Sequence, residues 1–253
     1  MYRKLAVSTV VALGLIAPSS FPAAAVAGGS ATSFDTAPYE VSVRSQDWTG
    51  SLNHICGGFL LGPNKVVTAA HCVNGATASK MNVSWGGTKR SSLAQNSAVA
   101  SIHVHENFDE QTNYGDVAVL TLSKAATESY GVRFAWLADT APAADAVGTF
   151  TGWGRTGPAS TMPEDLQAAQ LSVMSRAACK SAYPKTDLDG KLCARAAGTG
   201  RTPICEGDDG GPLVINGRVV GIAARRHGPC DTTNAAPSVF TNVAQFKNWI
   251  ESR

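Results

Sequence analysis

Two carboxylates stand side by side in a glycine-rich stretch, Cys205-Glu206-Gly207-Asp208-Asp209-Gly210-Gly211-Pro212-Leu213. Far upstream an imidazole closes an apolar run, Thr68-Ala69-Ala70-His71-Cys72, and between the two Asn113-Tyr114-Gly115-Asp116 opens another, Val117 to Leu120. A histidine, an aspartate able to orient it and a third reactive side chain on a tight loop are the parts of a nucleophile-and-base site. Singly each is weak, because a histidine at a strand end is more often a surface or capping residue and an aspartate before an apolar strand is usually a turn residue. The third side chain here, Asp209, is an ionised carboxylate: it has no proton to hand to a base, attacks an amide poorly, and sets negative charge where an oxyanion would have to form.

Positioning such groups falls to many short strands. Val41 and Val43 alternate with Glu40, Ser42 and Arg44 over Tyr39 to Arg44, the pattern of a half-buried strand. Gly57 to Leu61 and Lys65 to Ala70, joined by the turn Gly62-Pro63-Asn64, lead straight into His71. Further strands are predicted at Met81 to Trp85, Val99 to Val104, Val117 to Leu122, Gly148 to Trp153, Ala168 to Met174, Leu213 to Ile215, Val219 to Ala223 and Ser238 to Thr241. The Ala-rich, irregular stretch from Ser123 to Val147 crosses between two halves. Only the end reads as helix, residues 243 to 252, with Val243, Phe246, Trp249 and Ile250 on one face. The fold class is therefore all-β, of sandwich or barrel architecture.

The 253 residues carry a formal net charge of +2 and only 16% charged side chains, which argues against nucleic-acid or broad membrane binding. Met1-Tyr2-Arg3-Lys4, the apolar run Leu5 to Ala17 and the small residues to Ala25 read as a secretory signal peptide over residues 1 to 25, too short for a membrane span. Cleavage after Ala25 makes Val26 the new amino terminus, although a cut two residues later also fits. Six cysteines in an exported chain point to disulfides, and their spacing alone does not choose the pairing. No CxxC or clustered Cys/His pattern offers a structural zinc site, and no cofactor or metal is expected.

The motifs Thr68-Ala69-Ala70-His71-Cys72, Gly115-Asp116 before an apolar strand, and Gly207-Asp208-Asp209-Gly210-Gly211-Pro212 resemble those of the chymotrypsin and trypsin-like serine proteases, in the order His, Asp, nucleophile. The likeness covers essentially the whole chain after residue 25. It implies two six-stranded antiparallel β-barrels, roughly 26 to 135 and 136 to 240, followed by the C-terminal helix, with the cleft between them. It implies His71 as base, Asp116 as its orienting acid and Asp209 at the place where the family has its serine. Gly207 and Asp209 supply the oxyanion-hole N–H groups, and Val26, in Val26-Ala27-Gly28-Gly29, pairs with Asp208. It also implies the disulfides Cys56 with Cys72, Cys179 with Cys193, and Cys205 with Cys230.

The pocket departs from the family as well. Pro203 stands where a trypsin carries an aspartate, Arg225 and Arg226 follow Ala224 where the family has Trp and Gly, and Ser238 replaces a glycine wall; Ile204 and Glu206 complete the lining. Arg225, Arg226 and His227 are either a solvated basic loop or a group that pairs with Asp209 or an anionic ligand. Two functions follow. One is a secreted, monomeric pseudoprotease that binds a protein, peptide or glycan through the old cleft. The other is a hydrolase with residual or altered peptidase or esterase activity.

Overall fold

The computed structural model describes residues 29–129, 131–157, 160–197, 204–224 and 236–253. Fourteen strands run through it: β1 (Ser30–Ala31), β2 (Glu40–Gln46), β3 (Leu52–Gly62), β4 (Lys65–Thr68), β5 (Met81–Trp85), β6 (Gln95–Val104), β7 (Ala118–Leu122), β8 (Trp136–Leu137), β9 (Val147–Gly152), β10 (Gln167–Val173), β11 (Lys191–Ala196), β12 (Pro212–Ile215), β13 (Arg218–Ala223) and β14 (Ser238–Asn242). Two helices accompany them, α1 (Arg176–Ala182) and α2 (Val243–Glu251).

The strands close into two barrels. The first is the ring β2-β3-β4-β7-β6-β5, antiparallel at every pairing. The second runs β10-β11-β14-β13-β12-β9 and closes where β9 pairs β10, again antiparallel throughout. Beyond that ring β1 adds to β10 and the connector strand β8 lies parallel to β13. Closure removes the open edges that a sheet otherwise exposes.

Each barrel fills its own interior from the inward residues of its strands. Val41, Val43, Leu60, Val66, Val83, Trp85 and Leu120 form the first core, and Phe150, Leu171, Leu213 and Phe240 dominate the second. A third cluster spans the seam: Phe59, Val67, Val117 and Val119 of the first barrel meet Leu137, Val219 and Ile222 of the second, with Val243, Phe246 and Ile250 of α2 sealing one end.

Several elements differ from the sequence reading. Most strands begin or end one to five residues from where they were expected, although β5 runs from Met81 to Trp85 as expected, and β2 is not half-buried, since Glu40 and Ser42 are as enclosed as Val41 and Val43. The second barrel covers that face, which alternation within one strand does not reveal. Helix α1 carries only one buried residue, Cys179, and so shows no apolar stripe; it is started instead by Ser175, whose Oγ accepts from the Ala178 N–H at 3.2 Å. Strand β11 was hidden by Lys191 at its head, a lysine buried to 8% exposure whose Nζ donates to the Asp187 carbonyl at 2.9 Å. Residues 1 to 28, which include the signal-peptide reading and Val26, lie outside the described residues, as do Pro203, Arg225, Arg226, His227 and Cys230. Among the described residues no helix is long and apolar enough to cross a membrane.

Candidate functional site

Strand β4 ends at Thr68, and the chain turns at once through a short 3-10 segment, Ala70–Cys72, that holds His71 at the mouth of the seam. Two restraints fix that turn. Cys72 is bonded to Cys56 on β3, and the His71 backbone N–H donates to Asp116 Oδ1 at 2.9 Å. Asp116 lies just before β7, wholly enclosed, and its carbonyl accepts from Thr241 Oγ1 of β14 at 2.8 Å, so the acid is gripped by both barrels.

The His71 ring uses the other carboxylate oxygen, with Nδ1 2.8 Å from Asp116 Oδ2. An ionised carboxylate only accepts, so Nδ1 is the donor. On the opposite edge Nε2 lies 3.5 Å from Asp209 Oδ2. The three sequence-predicted residues are thus brought into one line, acid, imidazole, acid. Burial pulls the imidazole toward its neutral form, but hydrogen bonding and charge from Asp116 and Asp209 outweigh it and raise the His71 pKa to about 10. At neutral pH this group is a cation between two carboxylates. The side chains of His71 and Asp209 remain 12% and 20% exposed, so both reach the solvent of the cleft.

The loop beneath is set by backbone bonds. Asp209 accepts at its carbonyl from the Gly57 N–H at 2.8 Å, and Gly210 donates to the Ala223 carbonyl at 2.8 Å. Gly210 has φ +84° and a Cβ there would fall 2.3 Å from Thr68 Oγ1, so no other residue fits. Gly207, at φ +95°, is crowded by Met162, and its N–H has no acceptor among the described residues.

Asp208 is fully buried below the loop, where it accepts from the N–H groups of Gly154 at 2.8 Å and Cys205 at 2.9 Å. Burial first, and the charge of Asp209 second, raise its pKa to about 8 against the pull of those donors. Glu206 points outward and pairs with Arg155, Nε to Oε2 at 2.9 Å. Ile204, Ala224 and Ser238, expected as pocket lining, are each buried, while Pro203, Arg225 and Arg226 lie outside the described residues. The disulfides Cys56–Cys72 and Cys179–Cys193 are present. The partner expected for Cys205, Cys230, lies outside the described residues.

Three residues of this neighbourhood were not singled out from sequence. His54 bridges Ser42 Oγ, 2.8 Å from Nδ1, and the Gly207 carbonyl, 2.9 Å from Nε2. Burial, with Arg90 and Arg44 adding to it, lowers its pKa to about 4, so it stays neutral, donates from Nε2 and props the glycine loop. Glu40 lies in the seam, receiving Thr151 Oγ1 at 2.7 Å on Oε2 while Oε1 has no partner among the described residues. The signal for these was the run of polar residues on β2 and the histidine two positions before Cys56. As for a metal, the one cluster of suitable side chains among the described residues is Cys56, His71 and Cys72, whose sulfurs are joined to each other.

Comparison with known proteins agrees with this architecture. A family model described as Trypsin matches residues 26–250. Trypsin alpha of Drosophila melanogaster is 33% identical over 231 residues, spanning 90% of this chain and 86% of that protein. Trypsin epsilon of Drosophila erecta is 34% identical over 230 residues, spanning 89% and 86%. Of solved structures, neuropsin, a serine protease expressed in the limbic system of mouse brain, superposes with a TM-score of 0.78 at 28% identity, over 88% of this chain and 97% of its own.

Proposed function

Because the chain belongs to the trypsin family, we propose that it is a secreted family homologue that has lost peptide cleavage and acts by binding a protein, peptide or glycan at the former cleft. One observation carries the reading: the side chain facing His71 Nε2 is the carboxylate of Asp209, at 3.5 Å. In the family's reaction the group at that place gives its proton to the imidazole and becomes an acyl ester. A carboxylate has no such proton to give, and the imidazole that Asp209 faces is already protonated. The base is occupied and the nucleophile is poor, while the frame that holds both is intact.

A second reading is supported by that frame. The His71–Asp116 pair at 2.8 Å and the Gly207 N–H are the parts that leave some rate when one member of a triad is removed. It describes a hydrolase with residual or altered peptidase or esterase activity.

Hydrolysis of casein and of a panel of peptide and ester substrates by the wild type, Asp209→Ser and His71→Ala decides between them. Turnover only by Asp209→Ser is expected, and means that the aspartate alone silences the cleft. Wild-type peptide cleavage abolished by His71→Ala would overturn the pseudoprotease reading.

A further inference from the structure

A carboxylate that fails against an amide is competent against a different carbon. Displacement at a strained saturated centre needs no proton from the nucleophile; it needs an anionic oxygen and a donor for the oxygen that leaves. Asp209 and His71 are such a pair, an anion and an adjacent N–H donor, 3.5 Å apart and both open to the cleft, with Asp116 held behind the ring at 2.8 Å.

We propose that this group opens small epoxides, with Asp209 as nucleophile and protonated His71 as acid, and then hydrolyses the resulting ester to a diol. An Asp209 carboxylate oxygen attacks one epoxide carbon; that carbon's bond to the ring oxygen breaks, and the oxygen takes the proton from His71 Nε2. The products of the step are a hydroxyalkyl ester of Asp209 and a neutral imidazole.

The ester itself prepares the second step. Alkylation removes the Asp209 charge, one of the two that hold the imidazole protonated, and leaves Asp116 to orient a neutral base. His71 then takes a proton from water as its oxygen adds to Cγ of the ester. Collapse expels the diol oxygen, which takes the proton of the new carboxyl group. Asp209 is again ionised and His71 again protonated, so epoxide and water give diol with no other reagent consumed.

The inference shares with the preceding section only the Asp209–His71 pair, not the loss of peptide cleavage, and the two fail separately. The test is a single turnover of styrene oxide and 1,2-epoxyhexane with excess full-length protein in water labelled with oxygen-18. Expected are diol above the buffer rate, a covalent adduct by intact mass that maps to Asp209, unlabelled diol on the first turnover, and the label in the Asp209 carboxylate afterwards. Asp209→Asn abolishes the adduct, and His71→Ala slows diol formation about 100-fold or more. Asp209→Ser, if it cleaves the peptide panel, shows that a change at this position leaves the site folded. No diol and no adduct from the wild type overturns the proposal, as does label in the first-turnover diol or an unchanged rate in Asp209→Asn. Casein cleavage by the wild type would sink the pseudoprotease reading and leave this one standing.

Discussion

At the scale of the residue, the site is governed by what one side chain does to the charge of another. Asp209 and Asp116 both favour the imidazolium, and removing either removes part of the shift. In an NMR titration His71 is expected to lose its proton near pH 10 in the wild type and at a clearly lower pH in Asp209→Asn, where the Asp116 bond alone remains. Since the folded pKa stands above the unfolded value of about 6.5, this pair's contribution to stability is fully present below that value and is lost as pH rises through about 10. A His71 that titrates near 6.5 in both proteins would mean the ion pair does not form. These three residues were legible because each sits in a short motif with fixed neighbours. Glu40, Ser42 and His54 were not, because the second barrel that encloses them is contributed by residues more than a hundred positions away, such as Thr151 and Gly207.

At the scale of the element, the best-read pieces were those with a strong period. β5 was placed to the residue, and α2 to within one, because an apolar face at helical spacing has one way to pack. α1 and β11 escaped because seven residues with one buried side chain, and a strand headed by an enclosed lysine, carry no such period. α2 is a fastener. Phe246 is buried at the seam, Lys65 Nζ donates to the Glu251 carbonyl at 2.9 Å, and Trp249 Nε1 donates to Glu106 Oε2 at 2.6 Å. Phe246→Ala is expected to cost about 3–5 kcal/mol, read as a lower denaturant midpoint with unchanged slope. A loss under about 1 kcal/mol would mean that the helix does not hold the barrels together.

For the whole molecule, the strands gave only sandwich or barrel, and the two closed barrels were expected from the family resemblance that the motifs carry, whereas the seam was not. Its polar centre is Glu40 of β2 against Thr151 of β9, with Asp208 close by. Burial, reinforced by Asp208 and only partly offset by the Thr151 hydrogen bond, raises Glu40 well above the usual carboxylate range. A raised acid binds its proton more tightly in the folded state, so the fold weakens as pH climbs above the unfolded value of about 4.3. Glu40→Gln keeps the shape without the ionisation. It is expected to flatten the fall in stability as pH rises above about 4.3, measured by urea unfolding at each pH. Parallel curves for the two proteins would refute a seam acid.

The fastening of α2 also has a bearing on biosynthesis. β14 completes the second barrel and α2, directly behind it, covers Phe59, Val67, Val117 and Val119 of the first. Both follow every strand of the first barrel in the chain, so the seam face of a barrel whose strands are complete by Leu122 stays partly uncovered while the later strands are made. Until those elements are in place, that apolar face lies bare on the growing chain and open to wrong partners.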